Sequence, residues 1–174
     1  MLKQSNGKLI EVGIDEAGRG CLAGPVVAGA VVMPIIDFKD EDSEYELDIL
    51  HKIKDSKKMT KKNRAICKNY IEEIAISYGI GYADNNEIDQ MNILRATHTA
   101  MHRALNNLDL TPDFIFVDGN NFEDYYSDSN ELVDYKCVIG GDNEIFNIAC
   151  ASVLAKEYHD MMIKNLVNDF PELT

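Results

Sequence analysis

Three short apolar runs in this chain each lead into carboxylates, and that pattern limits the folds open to it. Leu9-Ile10-Glu11-Val12-Gly13-Ile14 leads into Asp15-Glu16, and Phe114-Ile115-Phe116-Val117 into Asp118. Tyr135 to Ile139 leads through Gly140-Gly141 into Asp142. Runs of this length, rich in branched and aromatic residues, read as β-strands. A lone Asp after a strand is usually a turn or cap residue, and Asp118-Gly119-Asn120 taken alone is a tight turn. The adjacent pair Asp15-Glu16 is harder to dismiss, because two charges beside a core strand are costly unless compensated.

The remaining segments fill out the layers. Pro25 to Met33 is a further apolar run and predicts a buried strand. Asp37 to Asp48 is polar and is expected to be a loop. Thr60 is a candidate N-cap for a helix to about Ile76, on which Ile66, Tyr70, Ile71 and Ile74 have helical spacing. Ser77 to Ala83 predicts a strand, and Asn86 a cap for a helix reaching about Leu108. A long helix is expected from about Asn143 to Asn168, with Ala149, Cys150, Ala151 and Ser152 small enough to pack closely on a sheet. Strands first, then strands alternating with helices, predict an α/β layer fold with a mixed sheet. The length of 174 residues suits one domain, and no repeat or low-complexity linker divides it.

The net charge of −13 has the wrong sign for a nonspecific nucleic-acid coat. Its distribution says more. Eight of the 17 Lys and Arg residues lie between Lys52 and Lys68, where Asp55 is the only acid. Asp37 to Asp48 holds seven acids, and Glu123 to Asp134 five. An acidic chain with one basic segment can still bind phosphate locally, and it can concentrate carboxylates at a metal. No apolar run approaches the roughly 18–20 residues of a membrane span, and residues 1–7 lack the apolar core of a signal peptide. Cys21, Cys67, Cys137 and Cys150 are scattered, with no Cys-x-x-Cys pair. They read as small buried residues of a reducing compartment, so a cytoplasmic protein without a membrane partner is expected.

In open α/β sheets, ligands gather beyond the carboxyl ends of the strands. Asp15, Glu16, Asp118 and Asp142 converging there would repel one another unless a cation neutralised them. The hard ions Mg²⁺ and Mn²⁺ take oxygen ligands, and Mg²⁺ typically bridges carboxylates to substrate phosphate. Two such ions stabilise the attacking and leaving oxygens of a phosphodiester displacement, which opens a route to a nuclease. The other readings are a Ca²⁺ site or plain surface acids, although no Asp-x-Asp-x-Asp-Gly loop is present. Gly18-Arg19-Gly20 follows the first acids. Glycines allow close backbone approach to a ligand, but Gly18, Gly20 and Gly24 lead into a strand, unlike a dinucleotide fingerprint. Asp55-Ser56-Lys57-Lys58 precedes the Thr60 helix; lysines at a helix N-terminus favour phosphate, and the same residues read readily as a solvated face.

Taken together, Gly13-Ile14-Asp15-Glu16-Ala17-Gly18-Arg19-Gly20-Cys21-Leu22-Ala23-Gly24-Pro25-Val26-Val27 resembles the N-terminal signature of ribonuclease HII, the type 2 ribonuclease H. Further motifs similar to that family's follow in its order: Asp55-Ser56-Lys57-Lys58, Asn92-Ile93-Leu94-x-Ala96-Thr97 and Val117-Asp118-Gly119-Asn120. The last is Gly141-Asp142, followed by Ile148-Ala149-x-Ala151-Ser152-Val153-Leu154-Ala155-Lys156. The resemblance implies an RNase H-like fold, a central mixed five-stranded sheet flanked by helices. It implies a metal-dependent endoribonuclease that cleaves the RNA strand of RNA–DNA hybrids. It further implies incision 5′ to ribonucleotides embedded in duplex DNA, leaving 3′-hydroxyl and 5′-phosphate ends. By the same resemblance Asp15, Glu16, Asp118 and Asp142 are the catalytic, metal-binding carboxylates, with Asp15 and Asp118 the principal ligands of Mg²⁺ or Mn²⁺ and two ions present with substrate. Gly18, Arg19 and Gly20 are implied to read the ribose 2′-hydroxyl, the group that separates RNA from DNA. Ser56, Lys57, Lys58 and Asn92 are implied to meet the substrate backbone. Arg19 has a second reading, in which its guanidinium pairs with an active-site acid.

The chain departs from the family at three places. Gly140 stands where the family usually has Lys, and His159 where it commonly has Arg. The family's Lys-Gly-Tyr segment, whose tyrosine stacks beside the ribonucleotide, has no counterpart, so the C-terminal extension is expected to be absent and residues 1–174 to form one catalytic domain. That departure supports an alternative expectation, a catalytically weak hybrid-binding or partner-dependent protein. The related ribonuclease HIII is disfavoured, because Asp15-Glu16-Ala17-Gly18-Arg19-Gly20 has the HII form.

Overall fold

Every residue of Val26–Val32 is buried, so this strand must lie inside a sheet covered on both faces. The computed structural model describes residues 2–4, 8–36, 44–53 and 59–169. Five strands, β1 (Glu11–Ala17), β2 (Val26–Val32), β3 (Ser77–Ala83), β4 (Phe114–Asp118) and β5 (Asp134–Val138), form one sheet in the order β3-β2-β1-β4-β5. β2 runs antiparallel to β1 and β3, while β1, β4 and β5 are parallel. The sheet is mixed and five-stranded, as expected.

The helices are α1 (Glu44–Lys52), α2 (Lys61–Ile74), α3 (Asn85–Met91), α4 (Ile93–Asn106) and α5 (Phe146–Asp169). Side chains alternate across a strand, and the two faces have separate cores. Val12, Ile14, Val26, Ala28, Ile115 and Val117 meet Met101 and Leu105 of α4. On the other face Val31 joins Cys67 and Ile71 of α2 and Phe146, Cys150 and Leu154 of α5. Both helices lie almost on the backbone of the sheet. A Cβ on Gly81 would stand 2.2 Å from Ala100 O of α4, and one on Gly13 2.2 Å from the Asn147 carbonyl carbon of α5. Gly13, Gly29 and Gly18 meet α5 at residues 147, 151 and 159 in turn. The helix therefore runs from the starting edge of β1 towards its carboxyl edge.

Several expectations need correction. Residues 44–48 are not loop but the first turns of α1, whose far end buries Ile49 and Leu50 and carries His51 and Lys52 in its last turn; residues 37–43 lie outside the described ones. A single helix from Asn86 to Leu108 is instead two. Asp84 caps α3 through a capping box with Glu87, and Asn92, at φ 72°, ends α3 and caps α4. Asp15 and Glu16 lie within β1 rather than beyond it. Cys67 and Cys150 are buried as expected, but Cys21 is exposed and Cys137 only half-buried. Thr60 does cap α2, its hydroxyl accepting from Asn63 N at 3.3 Å. Among the described residues, no helix is long and apolar enough to cross a membrane.

Candidate active site

The parallel register brings the acids together. β1 and β4 pair up to Ile14 and Val117, one residue short of Asp15 and Asp118. Gly13 and Asp15 point to the α5 face of β1, since Val12 and Ile14 belong to the α4 core. The same alternation sends Asp118 to the α5 face of β4, because Ile115 and Val117 pack on the α4 side. Asp15 is only 6 % exposed. Its Oδ1 accepts the Glu16 N–H at 2.7 Å. Burial pushes its carboxyl well above the ordinary range, and the neighbouring charges of Glu16 and Asp118 push further. A hydrogen bond from the Ser152 hydroxyl of α5 and the one from Glu16 N work in the opposite direction. Asp15 is thus a carboxylate held where its own ionisation is opposed, the environment that marks functional acids.

Asp142 arrives by a turn. Beyond β5 the chain makes a single 3₁₀ turn, Gly141–Asn143. The Gly141 N–H donates to Asp118 Oδ1 at 2.7 Å, which ties this turn to the end of β4 and sets Asp142 beside it. Asp142 Oδ1 accepts from Asn143 Nδ2 at 2.7 Å. All four predicted carboxylates therefore occupy one edge of the sheet. They do not form a closed cage: among the described residues, no three His, Cys, Asp or Glu side chains stand close enough to hold an ion by themselves.

Arg19 Nη1 donates to Glu16 Oε1 at 3.2 Å, which is the second of its two sequence readings. Gly18 and Gly20 flank it on a turn closed by the Cys21 N–H donating to Gly18 O at 3.0 Å. Gly18 holds φ at 100°, a left-handed conformation that glycine alone adopts cheaply. A Cβ there would stand 2.5 Å from Pro25 O and 2.7 Å from His159 Cδ2. The turn thus lies directly on α5. Asn92 accepts the Leu94 and Arg95 N–H groups at 3.0 and 3.2 Å. Residues 79 and 81 of β3 face residues 104 and 100 of α4, so α4 begins beyond Ala83. Ala83 pairs with Val26, and Val27 with Ala17, so Asn92 shares the edge that carries the acids. Ser56, Lys57 and Lys58 lie outside the described residues.

Two residues were not singled out from the sequence. Ser152 reads there as a small packing residue and as a member of the motif from Ile148 to Lys156, with no role of its own, yet it donates to Asp15. His159 reads only as a departure from a family pattern, yet it is the floor under Gly18. Nothing local marks either role, because both depend on how α5 crosses the sheet.

The comparisons with known proteins agree with this geometry. Residues 12–173 match the family model for ribonuclease HII. The ribonuclease HII of Christiangramia forsetii is 44 % identical over 172 residues, covering 99 % of this chain and 79 % of that protein. That of Porphyromonas gingivalis is 42 % identical over 163 residues, covering 94 % and 73 %. Among solved structures, the ribonuclease H2 of Pyrococcus horikoshii OT3 superposes with a TM-score of 0.72 at 26 % identity, covering 94 % of this chain and 78 % of that one. Bst-RNase HIII in complex with Mn²⁺ superposes with a TM-score of 0.70 at 20 % identity, covering 91 % and 54 %, and speaks for the fold alone. The chain belongs to the ribonuclease HII family, hydrolases that cut RNA endonucleolytically within RNA–DNA hybrids.

Proposed function

We propose that Asp15, Glu16, Asp118 and Asp142 are the catalytic carboxylates of this endonuclease. The observation that carries the proposal is the buried Asp15 carboxyl, whose ionisation Glu16 and Asp118 oppose. An all-oxygen set crowded in this way suits hard divalent ions. Bound Mg²⁺ or Mn²⁺, two ions when substrate is present, would supply charge neutralisation and an activated water for attack on phosphorus. The open arrangement of the acids suits Mg²⁺, which binds through few carboxylates and relies on substrate phosphate for further ligands. Asp15 and Asp118, on one face of adjacent parallel strands, are the principal ligands, with Glu16 and Asp142 completing the sites. Ser152 and the Gly141 N–H hold Asp15 and Asp118 in place.

Gly18 and Gly20 offer backbone groups to the ribose 2′-hydroxyl, with Arg19 holding Glu16. Asn92, at the start of α4, meets the backbone of the substrate, as do Ser56, Lys57 and Lys58. The substrates are RNA–DNA hybrids and duplex DNA with embedded ribonucleotides. The latter are incised on the 5′ side, leaving 3′-hydroxyl and 5′-phosphate ends. Residues 1–174 act as one catalytic domain in the cytoplasm.

The test is a labelled duplex carrying one ribonucleotide, incubated with the chain in Mg²⁺, Mn²⁺ or EDTA. Metal-dependent incision on the 5′ side is expected. Binding without cleavage in either metal would favour the partner-dependent alternative. Asp118→Asn should cut cleavage by roughly 10²–10³-fold or more, as loss of a preorganised electrostatic group at the reacting centre does, while circular dichroism stays unchanged. Near-normal turnover by that variant would remove Asp118 from the site.

A further inference from the structure

Of the four cysteines, only Cys21 is exposed. Burial pushes the other three thiols upward, Cys67 to about 11, and keeps them inert. Cys21 also has a partner. Its Sγ lies 3.8 Å from Nε2 of His159, an imidazole only 3 % exposed. The Nδ1 of that imidazole has no hydrogen-bond partner, but it faces Asp160 Oδ1 at 3.6 Å. The carboxylate favours a proton on Nδ1 and leaves Nε2 bare towards the sulfur. Asp160 is itself held, by Arg64 Nη2 at 3.0 Å and Lys156 Nζ at 2.7 Å. The result is a row of thiol, imidazole and carboxylate, the arrangement that activates nucleophilic sulfur. Burial, with Lys156 adding to it and Asp160 opposing, moves the imidazole below its ordinary value, so it is neutral.

We propose that Cys21 and His159 form a thiol-modification site that takes small-molecule disulfides, and that the mixed disulfide formed there blocks the Gly18–Gly20 turn. In the reaction Sγ attacks one sulfur of the disulfide while His159 Nε2 takes the thiol proton. The old S–S bond breaks, the bond to Cys21 forms, and the departing sulfur takes the proton and leaves as a thiol. A thiol reductant runs the exchange backwards. The position of Cys21, one residue after Gly20 and hydrogen-bonded through its N–H to Gly18 O, puts any adduct against that turn. The loss of cleavage rests on the proposed role of the turn in substrate binding; the reactivity of the thiol does not.

The experiment treats the full chain with dithiodipyridine and follows the released thiopyridone by absorbance, with N-acetylcysteine as the reference thiol. One thiol is expected to react at least roughly tenfold faster than the reference at neutral pH, and mass spectrometry should map it to Cys21. His159→Gln should bring the rate down to that of the reference. The modified wild type should lose hybrid cleavage in Mg²⁺ and recover it with dithiothreitol, while Cys21→Ala cleaves normally and ignores the reagent. A wild-type Cys21 no faster than N-acetylcysteine overturns the site whatever the variants do. Rapid labelling at Cys21 with cleavage unaltered keeps the activated thiol and overturns the blocking of the turn.

Discussion

Helices α4 and α5 cover opposite faces of one sheet and dock on it equally closely, at Gly81 and Gly13. They carry different cargo. The buried residues of α4 are Ala96, Thr97, His98, Ala100, Met101, Ala104 and Leu105. Its polar contacts lie away from the four acids: Thr97 donates to Ile93 O of its own helix at 2.8 Å, the buried His98 Nδ1 faces Glu123 Oε1 at 3.4 Å, and Arg103 pairs with Glu87 at 2.7 Å near the surface. Helix α5 is buried at every position from 146 to 155 and carries polar groups into the interior. Ser152 reaches Asp15, His159 supports Gly18, and Glu157 and Asp160 hold Arg64 of α2 at 2.6 and 3.0 Å. One helix stiffens the sheet, while the other positions the groups on it. A fold can thus separate rigidity from chemistry by face.

The contrast can be broken most strongly at Arg64. Its side chain is 8 % exposed and ties α2 to α5, so Arg64→Ala should cost about 3 kcal/mol or more in urea unfolding, as loss of one partner from a buried pair does. A cost below about 1 kcal/mol would show that the α5 network is as superficial as the α4 one. At Ser152 the comparison sharpens. Ser152→Ala removes a hydrogen bond that favours the charged form of Asp15. The Mg²⁺ concentration for half-maximal cleavage should rise about fivefold, for a bond worth about 1 kcal/mol, whereas Thr97→Ala should leave it unmoved.

Asp15→Asn tests the same face through stability. The carboxyl of Asp15 lies above its ordinary value of 3.8 when folded, so the folded chain holds that proton more tightly than the unfolded one. Stability is therefore lost as pH rises through the folded value. In EDTA, Asp15→Asn should raise Tm at neutral pH, and the gain should vanish below the ordinary value. The smallest effect belongs to α4: Arg103→Ala should cost under about 1 kcal/mol. Its partner Glu87 is held down at about 2, so whatever that pair contributes is present above the ordinary carboxylate value and lost as pH falls towards 2.

The same division explains what could be read in the sequence. β2, β3 and the Thr60-capped α2 were legible because their signals are local: an unbroken apolar run, alternation, a cap. The placing of the four acids at one sheet edge was legible because each adjoins such a strand. α1 was not, since the charges interleaved through residues 44–48 mask a helix whose apolar side chains, Leu47, Ile49 and Leu50, sit among and just after them. The start of α3 had a local sign, Asp84 three residues before Glu87, but the continuous apolar stripe through Ile93 and Leu94 obscured the break at Asn92. The roles of Ser152 and His159 were illegible locally, because each is a contact between segments more than a hundred residues apart.

The pairing of β1 with β4 has a consequence in time. Ile10 N–H donates to Asp113 Oδ2 across 103 residues of chain, whereas β1 and β2 are joined by a short turn. Closing the longer loop carries an entropic cost before its contacts repay it, and such non-local pairings slow folding. During synthesis the β1–β2 hairpin can form long before residue 118 leaves the ribosome, with Asp15 in place and Asp118 not yet made. Asp15 and Asp118, the acids proposed as principal metal ligands, meet only when the fourth strand docks, so the proposed site is among the last parts of the sheet to be assembled.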